Sequence, residues 1–549
     1  MNEGIAGRTN RLATVSLFGL LLLGATGSAG DRSLDAAEQA YADMNDAYGA
    51  MSLIDSGLQS TWEGRDRAQW LERYSAKRAA VLASLQKIPA DRLAGVDARA
   101  AQVMREAIDA AGSSPDSMAP TARCSDAQRR DLAPDALRQS LYGCFAELAN
   151  SLRFENGLVT RVGAFDLLTR MEEPARRKAL FFAFVPLWQS LNGNSEPQSP
   201  YRRMIAATSA AMSPEDSPIN AAARTVGADA ARIERWLEQI LDTWRRVTDD
   251  EPIEPWDYRF VHGAAERELG PAIAREAMQP INERFYLDLG ADLKRWGVLY
   301  DLDPRTGKAP LAYTDYVRRG REANGAWQPT LVRISGNYAH GGLGLLNELV
   351  HENGHAVHMM ALRTRPAFMD LGDAVFYEAF ADVPSWSVYE PAWQQKYLGV
   401  SATQERSLRS LYATVMLDVA WGLFDLRMLR EPQRNPNEVW TEITHRYLHI
   451  VPHPELSWWA VRVQLVDSPG YMINYGLGSV ITADIRKQIT QNLGSVDAGN
   501  ARWYPWLAEK VLASGQTQET SQLLRDFLGR PVSPQALLEQ LERLRVPSN

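Results

Sequence analysis

In the stretch LVHENGHAVHMM, residues 349–360, the residues His351, Glu352 and His355 have the spacing H-E-x-x-H. On a helix, positions i and i+4 lie one turn apart on the same face, so both imidazoles can reach one metal ion. Glu352, beside the first histidine, is then placed to take a proton from water. A zinc site that does chemistry needs a third protein ligand and an open fourth position. His358 is close in sequence, but at 1.5 Å rise per residue it sits about 10 Å along the axis from His351, so it reads as a structural histidine.

The stronger candidate is Glu378, 27 residues beyond His351 in DAVFYEAFADVPSWSVYEP. Glu378 and Asp382 are again i and i+4. Glu378 would complete a set of His351, His355 and Glu378 around one zinc ion. Asp382 would accept the outer N–H of a ligating imidazole and so fix its tautomer. The plainer alternative is two ordinary exposed acids on a surface helix, against which stand the neighbours Tyr377, Phe380 and Val383. His262, His340, His445, His449 and His453 read as partly buried polar residues, not ligands.

These residues need rigid carriers. GLGLLNELVHENGHAVHMMAL has apolar residues at 345, 346, 349, 350, 356, 357, 359 and 360, a pattern that suits a buried helix. Just upstream, PTLVRISGNY, 329–338, sets β-branched residues between turn signals and predicts a short strand beside the site. An exposed edge of that strand could hold an extended peptide by main-chain hydrogen bonds. From Ser33 to about Ala111, and again in ADAARIERWLEQILDTWRRV, apolar residues recur at helical spacing. Loops are expected at 113–126, 192–202 and 301–310, where Pro, Gly, Asp and Ser cluster. A mainly α fold follows.

The chain has 549 residues, of which 45% are apolar and 23% charged, so it can bury one large core or a few ordinary ones. Its net charge of −8 offers no basic surface for nucleic acid. Arg8 and Arg11 precede LATVSLFGLLLLGATG and the small residues SAG. That order describes a signal peptide over residues 1–30, cleaved near Ala29 or Gly30, and the apolar run is shorter than the roughly 20 residues of a membrane span. The expected location is therefore periplasmic or secreted, with no stable membrane association after cleavage. In an oxidising compartment Cys124 and Cys144 either form a disulfide or remain as buried thiols.

With these residues on the page, the sequence resembles the thimet oligopeptidase and oligoendopeptidase F family of gluzincin peptidases, related in fold to angiotensin-converting enzyme. The stretches that carry the resemblance are LLNELVHENGHAVH, FYEAFADVPS, DSPGYMINYGLGSVITADI and LLRDFLGRPVSPQALLEQL, across roughly residues 311–541. The resemblance implies a two-lobed helical zincin with a deep central cleft and a short sheet near the H-E-x-x-H helix. An N-terminal helical region, 31–310, would precede a catalytic region, 311–549. Glu378 falls at the family's third-ligand position. Tyr471 would donate to the substrate oxyanion, and Tyr475 is a neighbouring phenol for substrate binding.

The implied activity is hydrolysis of short peptides with one Zn2+, as an oligopeptidase or peptidyl-dipeptidase. One alternative is a metallocarboxypeptidase, for which Arg333 and Arg462 are candidates to grip a terminal carboxylate. The other is a non-catalytic peptide-binding relative. The chain departs from the family pattern at Gln464, Leu465 and Val466, where a histidine is usual. It departs again at Gly478, where the second tyrosine would fall, and at Asn353, which replaces an apolar residue.

Overall fold

The computed structural model describes residues 29–545 except 90–91, 111–123, 125–131, 214, 216, 249, 306–307 and 309–310. Of the expected leader only Ala29 and Gly30 fall among these, and of the expected loop at 113–126 only Cys124. Helices dominate. The run marked as amphipathic folds into α1 (Ala29–Asp55), α2 (Arg67–Gln86) and α3 (Gly95–Ala110). A capping box starts α2: Asp66 Oδ1 accepts from Gln69 N at 2.9 Å, and Gln69 Oε1 accepts from Asp66 N at 3.0 Å. Side chains of α1, α2 and α3 form a hydrophobic core of their own, joined by Ala367 and Phe368.

A second, larger core takes residues from Leu137 to Leu544. It begins with α4 (Pro134–Ala149), which carries Cys144, joined by a disulfide to Cys124. Next come α5 (Arg161–Arg170), α6 (Ala230–Thr248) and the short α7 (Tyr258–His262). In α6 the buried Ile233, Leu237, Ile240, Leu241 and Trp244 recur at three- and four-residue intervals, as the sequence pattern requires.

A small sheet lies against the site. Its strands β1 (Leu299–Asp301), β2 (Tyr313–Arg318) and β3 (Leu331–Ser335) have the order β1-β3-β2, with β3 parallel to β1 and antiparallel to β2. The strand expected at 329–338 is thus present as β3, but it has no exposed edge for a peptide. It is the centre strand, and its residues 332–335 are all buried, as befits a strand covered on both faces. The edges belong to β1 and β2, and α1 covers part of β2. A Cβ at Gly49 would lie 2.5 Å from Val317 O, so only glycine lets the helix approach that closely. Arg319 N just beyond donates to Asp46 Oδ1 at 3.0 Å.

Four further helices complete the frame: α8 (Leu343–Ala361), α9 (Ala374–Ser385), α10 (Gln404–Arg430) and α11 (Met472–Leu493). All four are largely buried. No helix among the described residues is long and apolar enough to cross a membrane.

Candidate metal centre

The H-E-x-x-H residues sit mid-way along α8, and three local features hold that helix. At its start the carboxylate of Glu266 accepts from Leu343 N at 3.0 Å and Gly344 N at 2.6 Å, where the helix dipole favours negative charge. At its centre the fully buried Asn353 donates to Leu349 O at 2.8 Å and accepts from the Tyr300 hydroxyl of β1 at 2.9 Å. A polar residue where the family has an apolar one is therefore satisfied and ties the helix to the sheet. Beside it, a Cβ on Gly354 would lie 2.7 Å from Ala381 Cα, so the backbones of α8 and α9 nearly touch. That approach brings the two i, i+4 pairs face to face.

His351, His355 and Glu378 each offer one ligand atom, and these atoms lie within 4.8 Å of one another. Glu378 Oε2 is 3.5 Å from His351 Nε2 and 3.9 Å from His355 Nε2. A tetrahedral ion bound at about 2.0–2.2 Å sets its ligands roughly 3.3–3.6 Å apart, so this set fits a zinc-sized cation after small adjustments. Behind it, His351 Nδ1 lies 2.7 Å from Asp382 Oδ1, the contact expected of a carboxylate that orients a ligand. Burial disfavours the charged form of His351, but the carboxylates of Asp382, Glu378 and Glu352 together outweigh it and hold the pKa well above the usual value. Burial, then the charge of His351, pushes His355 well below it.

Glu352 faces the same cavity. Burial raises its pKa to about 7, and the Thr314 hydroxyl of β2 lies 2.8 Å from both its Oε2 and its main-chain oxygen. A carboxyl tuned near neutrality can both take up and release a proton. The Tyr471 hydroxyl donates to Glu378 Oε1 at 2.8 Å and lies 3.0 Å from the Tyr377 hydroxyl. Burial, then the carboxylate of Glu378, raises the Tyr471 pKa far above 10, so it stays a neutral donor. Tyr475 packs edge-on to Tyr471, with ring centroids 5.7 Å apart, and receives a long hydrogen bond of 3.5 Å from Gln464 Nε2. Gln464, in the segment 464–466 where the family usually carries a histidine, thus lines the cleft.

Around these groups is a cavity of about 850 Å³ whose walls include Tyr48, Tyr142, Tyr313, Tyr316 and Tyr377. Thr314 and Tyr377 escaped the sequence reading as site residues. Tyr377 had a signal, being next to Glu378, whereas Thr314 reaches the site only through the pairing of β2 with β3. His358 is buried away from the cluster, edge-on to Phe376 and Phe380. Of the two arginines considered for a terminal carboxylate, Arg333 is buried in β3 and donates to Ser52 Oγ at 3.1 Å and the Tyr313 hydroxyl at 3.2 Å. Arg462 lines a second cavity behind His351.

Residues 294–543 match the family model described as peptidase family M3. Over this region the chain is similar to the M3 metallopeptidases. The M3 region contains His351, Glu352, His355, Glu378, Asp382 and Tyr471, and so the whole cluster. No curated protein sequence matches the chain significantly. Solved structures extend the likeness in fold beyond the M3 region. A protein described as CHT shares 14% identity at a TM-score of 0.59, covering 94% of this chain and 100% of its own. Trypanosoma cruzi metallocarboxypeptidase 1 shares 14% at 0.56, covering 94% and 99%. The M32 carboxypeptidase from Deinococcus radiodurans R1 shares 15% at 0.53, with the same coverage. The N-terminal helices, which the M3 match does not reach, therefore belong to the same mainly α architecture as the M3 region.

Proposed function

We propose that the chain is an exported zinc metallopeptidase that hydrolyses short peptides. The observation that carries the reading is the convergence of His351, His355 and Glu378 within one ligand-sized gap, with Glu352 and Tyr471 facing the same cavity. A zinc ion held by these three side chains would supply Lewis acidity to the scissile carbonyl and to water. Asp382 holds the His351 ring so that Nε2 faces the ligand gap. Glu352 takes a proton from the attacking water at its carboxylate and passes it to the leaving amine. Tyr471, released from Glu378, donates its O–H to the oxyanion that develops on the carbonyl.

Supporting export are the leader-like residues 1–30 and the disulfide between Cys124 and Cys144, a bond that persists in oxidising compartments. We assign the catalytic machinery to residues 311–549, with helices of residues 31–310 supplying part of the cleft wall.

A digest of a mixed-length peptide library by the mature protein, with Glu352→Gln as control, tests the activity. Products that vanish in Glu352→Gln, while bound zinc stays stoichiometric, are expected. A folded, zinc-loaded preparation that cuts nothing would leave a peptide-binding relative as the better reading.

A further inference from the structure

A buried carboxylate outside the metal centre holds the main chain on both sides of Tyr471. Asp425, in α10, is fully buried, and its Oδ2 accepts from Gly470 N at 2.8 Å and from Met472 N at 3.2 Å. Met472 opens α11, so its N–H has no partner within that helix and must find one outside. The turn before it is tight. Tyr471 N donates to Ser468 O at 2.9 Å, and Gly470 has a φ of +94°, with a Cβ there running into the Pro218 ring. Gly422, three residues before Asp425 and on the same face of α10, lets the two helices close up: a Cβ on it would lie 3.0 Å from Met472 O.

This arrangement is costly. Oδ1 of Asp425 is buried without a partner, and no cation among the described residues pairs with the carboxylate. Burial raises its pKa to about 7, against the pull of the two N–H groups. The titratable neighbour is Tyr201, whose pKa burial, then the charge of Asp425, raises well above its usual value. An apolar side chain would fill such a space at lower cost, so a carboxylate kept here has a task that packing cannot perform. Its contacts point to the task. In the proposed reaction the Tyr471 hydroxyl leaves Glu378, 2.8 Å away, for the oxyanion, so the hold on its main chain must fix where the phenol can go.

We propose that Asp425 is a positioning residue for peptide hydrolysis: by gripping the N–H groups on either side of Tyr471, it sets the phenol where the oxyanion develops. Asp425 lines neither the cleft nor the ligand cluster, and it acts through Tyr471. The proposal rests on the metallopeptidase reading and on the oxyanion role of Tyr471.

A double-mutant cycle on zinc-loaded protein tests it, with two readouts. One is kcat and KM on a peptide that the library digest shows to be cut. The other is the calorimetric affinity for a phosphinic peptide, whose tetrahedral phosphorus carries oxygens where the oxyanion would stand. Asp425→Asn keeps the shape and removes the charge. It is expected to lower kcat and the phosphinic affinity each roughly 10-fold at constant KM, as a small misplacement of a reacting group does. In Tyr471→Phe protein the same change should cost nothing further. Equal losses in both backgrounds, or a rise in KM at constant kcat, would make Asp425 a merely structural residue and overturn the proposal. If Asp425→Asn does not fold, Gly422→Ala takes its place, since its methyl pushes α10 away from Met472. Its loss should likewise vanish in Tyr471→Phe, and a loss that persists there overturns the proposal. A protein that cuts no peptide, yet shows the Tyr471-dependent loss of phosphinic affinity, would sink the peptidase reading and keep the positioning role.

Discussion

Asp382 Oδ1 stands 2.7 Å from Nδ1 of His351, on the side of the ring opposite the Nε2 that faces Glu378. The Ser385 hydroxyl donates to the same oxygen at 3.2 Å, so the carboxylate is itself held. A supporting contact of this kind fixes the tautomer and the orientation of a ligand before metal arrives. Asp382→Ala should therefore weaken zinc binding about 10- to 100-fold in competition with a chelator, leaving the helical circular dichroism as it was. Unchanged affinity would mean that Asp382 does not support a ligand.

Tyr471 donates to Glu378 Oε1 at 2.8 Å, next to the ligand gap. If its O–H turns to the oxyanion only as charge develops, the contact strengthens in the transition state and not in the bound substrate. Tyr471→Phe should then lower kcat by about 100-fold with little change in KM. A rise in KM at constant kcat would instead make Tyr471 a substrate-binding group.

Gly354 is where α8 and α9 meet. A Cβ there would lie 2.7 Å from Ala381 Cα and 2.8 Å from Ala381 O, both backbone atoms that cannot swing aside. Gly354→Ala should cost about 1–3 kcal/mol of stability and weaken metal binding together, because it parts the helices that carry the ligands. Adding Ala381→Gly should not restore the melting temperature, since both clashing atoms remain. Full rescue by that second change would refute a backbone contact.

Acid should destabilise the fold through two histidines outside the metal cluster. Burial holds both His262 and His358 at a pKa of about 3, with the charge of Arg409 adding to the effect at His262. The unfolded chain takes up these protons near pH 6.5 and the native one does not until about pH 3, so stability present above 6.5 is lost as pH falls through that interval. Denaturant melts between pH 7 and 4 should show the decline, and His358→Leu should make it shallower. A slope that His358→Leu leaves untouched would show that His358 is not buried neutral.

Where the sequence alone could be read, the geometry was local. The spacings His351 to His355 and Glu378 to Asp382 need only a helix to become pairs on one face, and periodicity in the flanks already marks those helices. The same holds for the amphipathic run that became α1 to α3. The strand at 331–335 was legible from its β-branched residues, but whether it lies at an edge depends on which strands pair with it. That pairing is non-local, and it makes 331–335 the centre strand with β1 and β2 at the edges.

Residue types and short spacings thus determined a mainly α chain with a ligand set, a base and a carboxylate behind the first histidine. Tertiary structure decided the rest: Thr314 against Glu352, Tyr377 beside Tyr471, and Asp425 against the turn that carries Tyr471. These groups come from segments as far apart as residues 314 and 471. No local rule joins such segments, because their meeting depends on how whole helices and the small sheet pack around a shared core.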